Sequence, residues 1–527
     1  MTALFDTLIT GGTLVDGTGR PAFRGDLAVQ DGRIAALGNL TGAHAARTID
    51  ARGCFVTPGF LDIHRHADAA LFRHGFGELE LRQGLTTIVN GNCGMAPFPS
   101  DGENAAAIAA YLGPVTGSFP RAYARFSDYS ADLPALPLHV GQLAGNGTLR
   151  ASAAGFAPEL TNAQMSAIHA ALESALADGV LGVSLGLGYA PECFYSTEQL
   201  IRALAPLKGS GIPLTVHMRQ EGSGVVAALE EMLAVAGALQ TPLEISHLKA
   251  IGRRNWRSDV PQMLSLMQRA RADGVDVACD VYPYTAGSTQ LIHILPPECQ
   301  QGGLDVLSQR LTDPAFRAHL RERMLTGDDF ENISLLVGWE NIRIAAVSDP
   351  ADEPSLGISI AELAAREQKD PFDAVFDLLA REHCAVTMID EIACEDDLLA
   401  ILQDDHSSVI SDSIYPGSGL CHPRVYGTFV RILERYVRES RALTLEQAVA
   451  KMTGFPARRL GLRSKGRLVP GLDADVNIFR LEDLHERGTY VAPAQLAAGM
   501  DTVLVSGVPA LEHGQRTGSA SGKLLTR

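Results

Sequence analysis

The sequence predicts an α/β protein: a parallel (β/α)8 barrel, a small β domain made from both chain ends, and a small inserted subdomain. Three observations carry that reading. Apolar strand-like runs alternate with helical stretches through the middle of the chain. Both ends read instead as short strands separated by turns. One interval, 290 to about 400, is too long for a single crossover between barrel strands. The 527 residues leave room for a large core and a second domain.

In the first 56 residues, Thr7–Thr10, Thr13–Val15, Asp26–Val29 and Arg33–Leu37 read as strands. Gly11-Gly12, Asp16-Gly17 and Asp31-Gly32 punctuate them, and Asp-Gly between apolar runs signals a hairpin. Residues 466–479 and 502–507 have the same texture. Barrel strands are expected at 55–63, 85–90, 136–143, 180–187, 214–218, 243–247, 277–282 and 408–411, with helices such as 162–177 and 225–238 between them. Further strands at 332–337 and 342–347 fall in the insertion. The expected division is therefore 1–56 plus 466–527 for the β domain, 57–289 plus 351–465 for the barrel, and 290–350 for the insertion.

Composition narrows the function. The chain is 46% hydrophobic and 20% charged, with a net charge of −17 and no basic cluster, so nucleic acid and anionic membrane are poor partners. No apolar run approaches the roughly 18 residues of a membrane span. Met1 to Gly11 lacks a basic region and carries Asp6 within its apolar segment, unlike a signal peptide. The eight cysteines are scattered without a CxxC pair or a disulfide framework. These features fit a cytoplasmic protein with a small-molecule substrate; they leave its oligomeric state open.

The chemistry gathers at strand ends. His64 and His66 follow the first strand and, in extended chain, share one face, as Asp68 would if the strand continued. The second strand runs into Cys93, the fifth ends in His217, the sixth in His247 and the eighth in Asp412. A lone histidine at such a place is more often structural. Four histidines and an aspartate, all at the C-terminal ends where parallel barrels keep their active sites, point to a divalent metal. A metal lowers the pKa of its water, and a carboxylate takes the proton. Asp412 is the candidate base, can also touch the metal, and has Asp68 as the next candidate.

The stretches PGFLDIHRH, NGNCG, HMRQEGSG, ISHLKAIGRRNW, DVYPYTAGST, ISDS and HPRVYGTF resemble the D-aminoacylases, the N-acyl-D-amino-acid deacylases of the amidohydrolase superfamily. The likeness continues to MTGFPARRLGL and PGLDADVNIF, so it spans nearly the whole chain. HxH is shared across the superfamily, whereas NCG, HMRxE and DxYPYxAGST are far more specific. The resemblance implies a distorted (β/α)8 barrel, a small β-sandwich from both termini and a zinc hydrolase. It implies that His64 and His66 hold one metal, that Cys93 stands between two metal positions, that His217 and His247 complete the tighter zinc site, and that Asp412 is the base. At least one zinc is expected; in this family the HxH metal can be weak or absent, and the second site is left open. Hydantoinase-like relatives bridge their metals with a carboxylated lysine on strand four; here 180–187 has no lysine, and Lys208 lies well past it.

The resemblance further implies that Tyr282, Ser288 and Arg424 hold the substrate carboxylate. A guanidinium fork with neutral hydroxyl donors suits that task. Lys249 is expected to bind the carboxylate or polarise the acyl group, and Tyr189 to line the pocket. Many D-aminoacylases have glycine after the base, where this chain has Ser413. The expected reaction is hydrolysis of an N-acyl-D-amino acid, the D hand resting on the resemblance. The alternatives are another amidohydrolase activity, on a cyclic amide or a D-residue dipeptide, and a non-catalytic barrel scaffold, against which the full ligand set argues.

Overall fold

The structure is a computed structural model describing residues 4–415 and 419–527, and every candidate site residue falls within them. Eight parallel strands form the barrel: β1 (Phe60–Asp62), β2 (Leu85–Asn90), β3 (His139–Gly145), β4 (Gly182–Gly186), β5 (Leu214–His217), β6 (Leu243–Ile245), β7 (Val277–Val281) and β8 (Ser407–Val409). Each is hydrogen-bonded to the next, from β1 round to β8. All eight are fully buried, as expected of parallel strands covered on both sides. Crossover helices follow their caps: in Asn162–Ala177 the Thr161 side chain accepts from the Gln164 N–H while Gln164 reaches back.

The run expected as one strand over 55–63 is two. Phe55–Pro58 pairs with Val476–Phe479 and with Leu4–Leu14, whereas β1 pairs with β2. Gly59 is the crossing point. Its N–H donates to the Asp475 carbonyl, and a Cβ there would sit 2.2 Å from Thr86 Oγ1. Only glycine lets the backbone pass that close.

β8 and β1 share no strand ladder, so side chains and a short extension close the barrel. The Asp62 carboxylate accepts from the Ser411 N–H at 3.1 Å and from its hydroxyl. Arg65 donates to Asp62 at 2.9 Å and to Glu80 at 3.3 Å, all three fully buried. Just beyond, Arg65–His66 runs parallel to Ser413–Ile414, and the Asp412 N–H donates to the His64 carbonyl. The seam thus closes at the end that carries HxH and Asp412.

The termini build one nine-stranded mixed sheet. It includes a strand not foreseen, His44–Asp50, parallel to Leu4–Leu14. Leu524–Leu525 leaves that sheet and pairs with β3. In the insertion, Ala286–Gln290, Thr387–Glu391 and Ile342–Ala346 form a three-stranded sheet. Its apolar core runs from Leu291 to Met388, so residues beyond 350 pack with those before it. The stretch 332–337, expected as a strand, is the helix Ile333–Val337; Asn332 caps it by accepting from the Leu335 N–H, and that cap wins over the apolar run. Among the described residues, no helix is long and apolar enough to cross a membrane.

Candidate metal centre and substrate cavity

Two groups of potential ligands share one cysteine. His64, His66, Cys93 and Asp412 form the first; Cys93, His217 and His247 form the second. Within each group the ligand atoms lie within 4.8 Å of one another. Cys93 Sγ is 3.3 Å from His64 Nε2 and 3.6 Å from His247 Nε2. His217 Nδ1 is 3.2 Å from His247 Nε2. Asp412 Oδ1 faces His66 Nε2 at 3.3 Å and His64 Nε2 at 3.4 Å. All six residues are buried.

The backbone is bent to bring them together. Cys93, His247 and Asp412 have φ of 52°, 37° and 51°, the left-handed region that costs a side-chain-bearing residue energy. Each sits where a barrel strand ends, and the turn aims its side chain inward. Behind Cys93, the fully buried Glu192 accepts from Asn146 Nδ2 at 2.7 Å and from the Gly186 N–H at 2.7 Å. It ties the segment after β3 to the loop after β4, against which the Gly94 backbone packs.

The site fits a metal by its donor chemistry. Burial holds the His64 imidazole down at about 3, and holds His217 and His247 below the ordinary histidine range, so all three offer neutral nitrogens. Burial also pushes the Cys93 thiol well up, with Asp412 and Glu221 adding to it, so its thiolate form calls for a cation beside it. Carboxylates face two of the remaining ring nitrogens: Asp280 Oδ2 lies 3.8 Å from His64 Nδ1, beyond hydrogen-bond reach, and Glu221 Oε1 lies 3.0 Å from His247 Nδ1. Such outer partners fix which nitrogen faces a metal.

Glu221 and Asp280 carry no role in the sequence reading. The HMRxE signal contains the first, four residues after His217, and DxYPY contains the second. Glu221 also pairs with Lys249 at 2.6 Å. Asp68 lies apart from the ligand atoms; it accepts from Gln142 Nε2 at 2.9 Å, and burial raises it to about 6.

A cavity opens above the ligands, lined by Tyr189, Lys249, Tyr282, Ser288 and Asp412, with His293 and Glu331 contributed by the insertion. The Tyr189 hydroxyl is 3.2 Å from His217 Nδ1. Arg424 does not stand free to meet a substrate. Its Nη1 pairs with Asp412 Oδ2 at 2.9 Å, its Nη2 donates to the Ser288 carbonyl at 3.1 Å, and its guanidinium lies 4.7 Å from the Tyr282 ring centre. Burial works against the Asp412 charge, but Arg424, then His66 and His64, outweigh it and hold the carboxyl well below its ordinary range. Ser413, the departure from glycine, points its hydroxyl to Ser411 Oγ at 2.7 Å, along the barrel seam.

Comparison with known proteins agrees with this geometry. Residues 47–510 match the model of an amidohydrolase family. The chain belongs to that family. Within it, the chain is 34% identical to the D-aminoacylase of Alcaligenes xylosoxydans xylosoxydans, covering 99% of this chain and 98% of that one. It is 36% identical to the N-acyl-D-glutamate deacylase of the same organism, covering 95% and 93%. Among solved structures, the N-acyl-D-glutamate deacylase of Bordetella bronchiseptica, crystallised with zinc and a phosphonate mimic of the tetrahedral intermediate, superposes with a TM-score of 0.84 at 34% identity over the full length of both chains. This amidohydrolase is thus a D-aminoacylase relative by sequence and by fold.

Proposed function

We propose that this amidohydrolase is zinc-dependent and cleaves the amide of N-acyl-D-amino acids to a carboxylate and a free D-amino acid. The observation that carries the reading is two ligand groups meeting at Cys93 beneath a cavity lined by Asp412 and the cation Lys249, with a second cation, Arg424, paired to Asp412. His217, His247 and Cys93 would hold the tighter zinc, with His64, His66, Cys93 and Asp412 around a second position. Zinc supplies Lewis-acid polarisation and acidification of water. Asp412 Oδ1, turned toward the histidines, takes the proton of the attacking water and returns it to the leaving amine. Arg424 keeps that carboxylate ionised and, with Tyr282 and Ser288, gives the substrate carboxylate a place to bind. A carboxylate arriving there shares the guanidinium with Asp412 and makes the base more basic as the substrate seats. Tyr189 packs on the cavity wall.

A cyclic-amide activity has less support, since β4 carries no lysine to bridge two metals. All eight cysteines are free thiols, which supports a reducing, cytoplasmic setting. We also assign the terminal sheet, the barrel and the insertion as units; the insertion has its own core, while the terminal sheet packs part of its apolar surface into the barrel core and part into a smaller cluster of its own. A panel of N-acetyl-D- and N-acetyl-L-amino acids with hydantoins, read by amine release or ring opening on zinc-loaded protein, tests the activity. Selective turnover of the D-amides is expected; turnover of the L-amides or the hydantoins alone would overturn it.

A further inference from the structure

Two cavities meet at one pair of side chains. The first lies over the metal ligands; the second runs outward past Leu187, Leu295, Pro297 and Phe330, and His293 and Glu331 line both. His293 is buried, its ring centre lies 4.1 Å from that of Tyr189, and neither of its nitrogens has a hydrogen-bond partner. A buried imidazole with both nitrogens unmet is rare unless something binds there. Burial holds it neutral, down at about 3, so it can donate at one nitrogen and accept at the other. Glu331 accepts from the Glu221 N–H at 2.5 Å, and burial, then the Glu221 charge, pushes its carboxyl up to about 8.

The cations facing the two cavities are all engaged. Lys249 pairs with Glu221 and Arg424 with Asp412. Arg219 pairs with Glu231 and donates to the Cys193 and Tyr195 carbonyls. A substrate α-carboxylate draws on Lys249 and Arg424, and a second carboxylate on its side chain would face Glu331 with no cation left.

Building on the proposed N-acyl-D-amino-acid activity, we infer that His293 and Glu331 form the subsite for the substrate side chain, and that they select side chains that donate hydrogen bonds, amide or cationic, over acidic ones. A side chain leaving the α-carbon passes between the two into the outer cavity, giving its N–H groups to Glu331 and His293. A carboxylate there finds no cation to offset its charge, whereas an ammonium lets Glu331 ionise and pair with it. Sites built to take a donor reject analogues that lack it far more strongly than they discriminate by size.

The test compares N-acetyl-D-glutamine with N-acetyl-D-glutamate, nearly the same shape, together with N-acetyl-D-lysine and N-acetyl-D-alanine, on zinc-loaded protein. Alanine is too short to reach the subsite and serves as the reference for folding and chemistry. Glutamine and lysine should exceed glutamate in kcat/KM by at least about tenfold. In Glu331→Gln that ratio, with each substrate normalised to alanine turnover in the same variant, should narrow; His293→Phe should lower glutamine and lysine turnover more than alanine turnover. Turnover of glutamate equal to or above glutamine would overturn the inference, as would ratios unchanged in both variants. Failure to hydrolyse even N-acetyl-D-alanine would instead sink the deacylase reading itself.

Discussion

At the scale of single residues, Cys93 joins the two ligand groups: its sulfur lies 3.3 Å from His64 and 3.6 Å from His247. Cys93→Ala should therefore strip tightly held zinc, whereas Cys193→Ala, whose sulfur belongs to neither group, should keep it; elemental analysis after dialysis reads the difference. Asp412→Asn keeps the shape and loses the proton acceptor. Turnover should fall at least roughly 10²-fold with zinc retained at the His217–His247 group, and near-normal turnover would place the base elsewhere. Arg424 pairs with that same carboxylate, so Arg424→Ala should weaken more than substrate binding. A rise in KM worth about 1.5–3 kcal/mol is expected for a lost hydrogen bond to a charged group, together with a lower kcat. A pure KM effect would mean that the Asp412–Arg424 pair has no part in turnover.

At the scale of elements, the strand-end loops hold the ligands in place, and the loop after β2 packs closely on Glu192. A Cβ on Gly94 would lie 1.9 Å from Glu192 Oε2, and the residue has φ of 73°. Gly94→Ala must therefore displace Glu192 or the loop, and with it Cys93. Thermal stability and zinc content should fall together in that variant; Gly113→Ala, where a Cβ meets nothing within 4 Å on a helix, should leave both unchanged. The insertion acts at the same scale. Its three-stranded sheet and the helix Ile333–Val337 set His293, Glu331 and Ile333 against the cavity, so the insertion also shapes what enters the site.

At the scale of the molecule, Asp475 fastens the terminal sheet to the barrel. Its Oδ1 lies 3.1 Å from His139 Nε2, in β3, and accepts from the Ser506 N–H at 2.8 Å; its Oδ2 takes Lys465 at 2.6 Å. Burial raises its carboxyl, but His139 and Lys465 outweigh that and hold it well below the ordinary value. A folded-state pKa below the unfolded one contributes stability that is present above about pH 4 and is lost as pH falls below it. Asp475→Asn should cost about 3–5 kcal/mol at pH 7, the scale for breaking a buried pair. Urea midpoints of parent and variant should converge as pH drops from about 4 toward 2, and a gap independent of pH would exclude the ion pair as its origin.

The sequence by itself determined what depends on local pattern. Strand ends at 85–90 and 214–218 follow from apolar runs, and histidines placed directly after such runs had to lie at one end of a parallel barrel. The motif around Cys93, together with the absence of a lysine on strand four, gave the bridging candidate by resemblance to the D-aminoacylases. The tertiary structure alone decided what lies between distant segments. Gly59 reads as a turn inside one strand until Asp475 and Thr86 pin it at the passage between two sheets. Arg424 reads as a substrate clamp alone, and only barrel closure shows that it also pairs with Asp412. Glu221 and Asp280 gain their places only when β5, β6 and β7 stand side by side behind His64 and His247. The physical reason is common to all of these. Periodicity records which face of its own element a side chain takes; which foreign side chain it meets depends on the closure and register of the whole barrel, which no local stretch of chain contains.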